Sequence, residues 1–394
     1  MKKIISLVLA LSLLLTMAVA VAEGMTAGGD VDAWTAKVTK TVGEDVEPTA
    51  DVIVVGAGGA GLAAASAAGE AGASVIVVEK AAAVGGNTIL FGGIFNTEAK
   101  SFILEDGRVV GVNAVKSDGT KVTLHANKGV VLATGGFAGN VEMVVEYNTY
   151  WPDLTLEAKS DNTATATGDG IRMAIEIGAN TVGMGFAQML PTCTALDGQA
   201  GKGVGSQLYV NKEGLRYVNE TSERDVLVKA AQAQTGGVFY GVGDTKMYNH
   251  RQQGEAKVAD SVAKGYAFVG DTLEEAAEKA GIDAQQLVKT VEAFNSYVEN
   301  ECDPDFGRYG FMGKVEEGPF MIVAMAPALH HTMGGVEINT EAQVIHTDGH
   351  AIAGLYAAGE VCGGIHAGNR LGGNAITDII VFGRIAGANA AAGK

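Results

Sequence analysis

Proline is scarce, 6 among 394 residues. With no G-X-Y period either, that excludes a collagen-like chain and proline-rich linkers. Cysteine is scarcer: Cys193, Cys302 and Cys362 are far apart and odd in number, which argues against a disulfide framework. They are expected to be buried free thiols. No C-x-x-C-H run for haem attachment occurs. Positive charge is also short, 28 Lys and Arg against 45 Asp and Glu, for a net charge of −17. A chain so acidic, without a basic stripe, has no footprint for nucleic acid and is repelled by an anionic membrane surface. A small anionic substrate would need a few cations placed in a pocket. Beyond residue 22 no run approaches 18 consecutive apolar residues, so no membrane span is expected there.

What the chain does have is hydrophobic residues, 47% against 19% charged, the balance of a globular protein long enough for two or three domains. It also has 56 glycines, roughly twice the usual share. Many are paired, as at Gly58-Gly59, Gly135-Gly136 and Gly372-Gly373, which suggests backbone brought close to a ligand. At the start, Lys2 and Lys3, the apolar run Ile4 to Leu15 and the small residues Ala20-Val21-Ala22 read as a Sec signal cleaved before Glu23. An uncleaved anchor is the alternative. The expected location is outside the cytoplasm: extracellular, cell-wall or periplasmic. Residues 23–50 lack periodicity and read as a leader.

Asp51 to Val55 and Ser74 to Val78 are continuous apolar runs, the pattern of buried parallel strands, with an Ala-rich helix from Leu62 to Ala71 between them. This βαβ order predicts a doubly wound sheet. Turn signals at Glu105 to Arg108 and Lys116 to Thr120 predict an antiparallel meander over Phe102 to His125. A separate buried strand is expected at Gly129 to Thr134 and another at Gly354 to Ala358. Helices are expected from Asp169 to Ile177, Asp271 to Ala280, Asp283 to Val298 and Ala375 to Ala391.

Gly56-Ala57-Gly58-Gly59-Ala60-Gly61 is G-x-G-x-x-G between strand and helix, where Gly56, Gly58 and Gly61 allow a tight turn, pyrophosphate approach and close packing. Glu79, ending the second strand, is placed to accept from a ribose 2′-OH. These residues leave NAD and FAD open.

The rest of the chain narrows the choice. Gly85-Gly86-Asn87-Thr88, Gly92-Gly93, Ala133 to Phe137, His330 to Gly335, Ala358-Gly359-Glu360 and His366 to Ala375 follow in order. On these residues the chain resembles the flavoprotein family of soluble fumarate reductases, urocanate reductase and related enoate reductases, from Asp51 to about Thr97 and from about Phe102 to Ala391. The resemblance implies FAD, held by Gly56, Gly58, Ala60, Gly61 and Glu79, with Asn87, Thr88, Gly92 and Gly93 lining the flavin. It further implies that Gly135, Asp169 and Glu360 lie along the cofactor, with Arg370, Asn374, Ala375 and Ile376 toward the flavin ring. His331 and Arg370, with Gly93, would bind a substrate carboxylate, and Arg224 would donate a proton. The implied fold is α/β: a discontinuous Rossmann-like FAD-binding domain, 51–183 and 316–394, with an inserted α+β capping domain, 184–315.

Local sequence offers plainer readings beside these. Arg224 could pair with Glu220 or Glu223 on a solvated face, and His331 could be a core histidine. Adjacent His330 and His331 cannot both serve one metal from a regular strand, so no metal site is expected. Asp303-Pro304-Asp305 lacks the rest of a calcium loop and reads as a turn.

The chain also departs from the family. About a small domain's worth of residues is missing, and Asn96 to Lys100 bridges directly. Leu190 stands where fumarate reducers place a histidine for the second carboxylate. Near Ala200 to Gly205 the Glu and Arg of a proton relay are missing, leaving Lys202. The expected reaction is therefore reduction of an enoate other than fumarate. Electrons would come from a separate donor protein or flavin domain. A non-catalytic flavin-binding protein and a dehydrogenase running the reverse chemistry are the alternatives.

Overall fold

The computed structural model describes residues 47–81, 84–85, 97–199, 208–244, 254–311 and 313–394. The Sec signal and most of the leader therefore lie outside the described residues, as do Asn87, Thr88, Gly92, Gly93 and Lys202.

In chain order, β1 (Thr49–Val55), α1 (Gly59–Glu70) and β2 (Val75–Val78) form the predicted βαβ unit. The strands β3 (Thr97–Glu105), β4 (Arg108–Lys116) and β5 (Lys121–Leu132) follow, then α2 (Val141–Tyr147), α3 (Asp169–Glu176), β6 (Thr181–Val182), β7 (Ala187–Thr194), β8 (Leu208–Val210) and α4 (Arg224–Gln232). Next come β9 (Phe239–Gly243), α5 (Gly254–Ala263), β10 (Ala267–Gly270), α6 (Leu273–Ala280) and α7 (Ala284–Glu299). The chain ends with β11 (Phe320–Thr332), β12 (Gly335–Val336), β13 (Gln343–Ile345), β14 (Ala351–Ala357) and α8 (Asn374–Ala392).

The first sheet runs β13-β14-β5-β1-β2, with β4 and β3 added antiparallel at the start of β5. Its centre, β14-β5-β1-β2, is parallel. Val52, Ile53, Val54 and Val55 are all essentially sealed from solvent, as expected of a strand covered on both faces. Each such side chain contributes roughly 1.5–3 kcal/mol by burial. One expectation fails here. The meander's last strand and the strand from Gly129 are one 12-residue strand, β5, which pairs with β4 through His125 and with β14 from Val130. Between the halves the chain does not turn but passes through a register shift against β1, where Ala50 pairs with Ala126 and Val52 with Gly129.

One face of this sheet carries α1 and α8. The two helices meet almost backbone to backbone: a Cβ at Gly387 would come within 2.0 Å of Ala64 O, and one at Gly383 within 2.6 Å of Ala60 O. Small residues on both sides, Ala60, Ala64, Ala386 and Ala390, make the approach possible. Among the described residues α8 is the one helix long and apolar enough, by length and composition only, to cross a bilayer; one third of its apolar 18-residue window is buried here.

The second sheet is antiparallel, β10-β11-β9-β8, with β7 on the other stretch of β11. Leu208, Val242, Leu287, Phe294 and Ile322 form its core against α6 and α7. Thr272 and Asp283 cap those helices by accepting from Glu275 N and Gln286 N. β11 lies past residue 315, so the second sheet extends into the 316–394 segment of the expected division. Asp303 is at a turn, as read, and its buried carboxylate accepts from the N–H groups of Asp305, Phe306 and Arg308. It also joins a buried ion network, Arg216 to Asp303 and to Glu220 at 2.8 Å each, with Arg308 at 3.2 Å from Glu220. Cys193 and Cys362 are buried free thiols; Cys302, contrary to expectation, is exposed.

Candidate active site

The carboxyl ends of β1, β5 and β14 open onto a cavity of about 450 Å³, the usual ligand position in a doubly wound sheet. The fingerprint turn forms one wall. Gly56 has φ 101°, and a Cβ there would sit 2.4 Å from Ala133 O. A Cβ on Gly61 would come within 1.9 Å of Gly56 O, so helix and turn close only with glycine at both places. Gly58 meets nothing nearer than Gly85 O at 3.9 Å and presents bare backbone to the cavity. No side chain caps α1 and its first turn holds no acid, so its positive end faces the cavity uncompensated.

Glu79 is buried at the rim. Its Oε2 accepts from Ala57 N and its Oε1 from Ala81 N, both at 2.8 Å. A carboxylate has about four acceptor sites, so capacity remains for a ribose diol. At the opposite wall α8 begins at Gly373, φ 92°, again without a side-chain cap or an acid in its first turn. These features fit a dinucleotide flavin: a bare turn for the pyrophosphate, a carboxylate for the ribose, and a second helix N-terminus.

Of the predicted site residues, Gly56, Gly58, Ala60, Glu79, Gly135, Asp169, Arg224, His331, Glu360, Arg370, Ala375 and Ile376 all line this one cavity. Gly61 and Asn374 do not. Gly61 packs inside the turn, and Asn374 is exposed on α8.

Asp169 bonds Lys80 at 2.7 Å and Thr167 at 2.6 Å. Burial would raise its pKa, but these partners hold it below the ordinary value. Glu360 accepts from Thr332 N at 2.9 Å and lies 3.7 Å from His331 Nε2. Burial pushes Glu360 up and His331 well down, so both shift toward neutral forms. His331 is 5% exposed and its Nδ1 has no partner.

Arg224 does not pair with Glu220 or Glu223. Glu220 is taken by Arg216 and Arg308. Arg224 instead donates to Gln188 Oε1 at 3.0 Å, and Gln188 Nε2 donates to Arg370 O at 2.8 Å. Among the described residues neither Arg224 nor Arg370 has a carboxylate partner, and Arg370 Nε is unpaired. Burial lowers both guanidinium pKa values, and for Arg370 the charge of Arg224 lowers it further.

Three contributors were not legible in the sequence. Gln188 is an uncharged residue with no motif signal, and Leu190, two residues on, is half-buried on β7 and is not among the cavity-lining residues. Asp161 holds His330 Nδ1 at 2.7 Å. Lys80, just after β2, donates to Thr167 Oγ1 at 2.5 Å and to Asp169 Oδ2 at 2.7 Å. His330 and His331, although adjacent, both line the cavity, because the β11–β7 register slips between Leu329 and His331.

The sequence model of the FAD binding domain family matches residues 51–96 and 93–376. The chain belongs to this FAD-binding family, and its cofactor is FAD. The two matched stretches meet where the sequence reading places the missing segment. The chain is 44% identical over 306 residues to an NADH:acrylate oxidoreductase of Vibrio harveyi, covering 75% of this chain and 30% of that one. It is 40% identical over 307 residues to a urocanate reductase of Eggerthella lenta, covering 75% of this chain and 50% of that one. It thus spans half or less of these relatives. Among solved structures, the open conformation of a flavocytochrome c3 fumarate reductase matches with TM-score 0.71 and 31% identity over 93% of this chain and 81% of that one.

Proposed function

We propose that this flavoprotein reduces the carbon–carbon double bond of an α,β-unsaturated carboxylate. One observation carries the reading: Arg224 and Arg370 meet in the FAD cavity, half-buried and without a carboxylate partner among the described residues. Two partly desolvated guanidiniums, with the charge of Arg224 lowering the pKa of Arg370, suit an anionic ligand.

When bound, FAD supplies hydride at its N5. Arg370 holds the substrate carboxylate and stabilises the negative charge that grows on it. His331 borders the same region, and His330, oriented by Asp161, offers its second ring nitrogen to the cavity. Arg224, steered by Gln188, delivers the proton to the other alkene carbon. Desolvation eases this by lowering its pKa. Glu79 takes the ribose and the turn at Gly58 takes the pyrophosphate.

A monocarboxylate with an apolar or aromatic far end is the preferred substrate, since the position where fumarate reducers carry a histidine for the second carboxylate is Leu190, apolar and outside the cavity lining. Electrons arrive from a separate donor protein or flavin domain. The division into a flavin domain, 51–183 with 316–394, and a cap, 184–315, belongs to the same proposal, as does export directed by residues 1–22.

The test is reoxidation of the dithionite-reduced holoprotein under anaerobic conditions by acrylate, methacrylate, cinnamate, urocanate and fumarate. A monocarboxylate is expected to reoxidise it fastest. Fumarate as the best acceptor would overturn the specificity, and no reoxidation by any enoate would overturn the activity.

A further inference from the structure

The turn between β13 and β14 reads His346-Thr347-Asp348-Gly349-His350. It lies at the opposite end of β14 from the cavity, about 20 Å away along a seven-residue strand. The turn closes on itself: His346 N donates to His350 O and Gly349 N to His346 O, each at 2.8 Å. That closure stacks the two imidazoles, with centroids 4.9 Å apart and planes 21° apart. Both Nδ1 atoms then face the same carboxylate oxygen, Asp348 Oδ1, His346 Nδ1 at 2.9 Å and His350 Nδ1 closer still. The three ligand atoms lie within 4.8 Å of one another.

His346 is held in place before any ligand arrives. Its ring rests on Gly178, where a Cβ would come within 2.2 Å of Nε2, and Thr347 N donates to Gly178 O at 2.9 Å. Its Nδ1 lies 2.9 Å from Asp348 Oδ1 and 3.3 Å from Asp348 N. A cation placed between the imidazole nitrogens and the carboxylate oxygen would bond to all three. On a tetrahedral zinc-type ion, donor atoms sit about 3.3 Å apart, within reach of small side-chain rotations here.

We propose that His346, Asp348 and His350 form a surface site for a divalent transition-metal ion of the zinc type. Two imidazoles and one carboxylate select a borderline ion over calcium or magnesium, and water completes the shell on the exposed side. The site is separate from the flavin cavity, and the ion bridges the two ends of the hairpin.

The test is calorimetric titration of chelator-treated, FAD-loaded full-length protein with zinc chloride, and separately with calcium chloride. One zinc per chain is expected, with no calcium binding. His350→Ala and Asp348→Asn should each weaken zinc binding by on the order of ten-fold or more. FAD content and enoate turnover should be unchanged, since neither residue belongs to the cavity. Zinc should raise the unfolding temperature of the parent but not of His350→Ala. Binding of calcium in place of zinc, absence of zinc binding at 100-fold excess over protein (on the order of millimolar), or variants that bind like the parent would each overturn the site.

Discussion

Arg224 and Arg370 share a cavity, and the proposed function gives them different tasks, a distinction that can be measured. Arg224→Ala should lower kcat by about 10²–10⁴-fold with FAD content kept, because it removes the proposed proton donor from the transition state. Arg224→Lys should recover part of that loss, since lysine keeps the charge but not the reach or geometry. Arg370→Ala should also raise KM, because the proposal assigns that residue to hold the carboxylate before reaction. Near-normal turnover in Arg224→Ala would remove the proton-donor assignment. His331 gives a second residue-scale prediction. Burial and the neighbouring Arg370 hold its folded pKa well below 6.5. Its contribution to stability is therefore complete above pH 6.5 and is lost as pH falls toward the folded value. The slope is up to about 1.4 kcal/mol per pH unit. Urea denaturation of parent and His331→Gln between pH 7.5 and 5 should show a gap that narrows as the solution is acidified. Glu360 acts with the opposite sign, from pH 4.5 upward, and is common to both proteins.

At the scale of elements, the contact of α1 with α8 sets where both helix N-termini point. It depends on glycine. Gly387→Leu would drive a side chain into Ala64 O, already 2.0 Å from an added Cβ. The helices must then part. The expected cost is about 1–3 kcal/mol or more, with loss of bound FAD, read by denaturation and by flavin absorbance of the purified protein. An unaltered midpoint and full flavin content would mean that the contact does not hold the cofactor wall. Elements were legible in proportion to how local their signals are. The βαβ unit was readable because β1 and β2 are short apolar runs around one glycine turn. The length of β5 was not, because its two halves pair with different partners, β4 and β14, and only those partners show that the strand continues.

For the whole molecule, FAD ties the ends of the described chain together, since Gly58, Glu79, Glu360 and Ile376 line one cavity. Binding should stabilise all of it by mass action, by about 2.7 kcal/mol at 100 times Kd. Added FAD should raise the unfolding temperature of flavin-stripped protein by several degrees, whereas NADP should not. Equal shifts from both would count against FAD selectivity.

The sequence alone determined the fingerprint turn, the carboxylate at Glu79, the FAD-binding family and the chemistry to expect. The turn and Glu79 rest on residues close in sequence, where backbone geometry and spacing leave little freedom, and the family rests on short motifs recurring in order from Gly56 to Ala375. Only the tertiary structure decided that Arg224 leaves Glu220 to Arg216 and Arg308 and turns to Gln188, and that Asp161 reaches His330. It also decided that a register slip aims two adjacent histidines into one cavity. Those outcomes depend on how distant strands align and which charges burial forces together. A chain read one residue at a time does not carry that information.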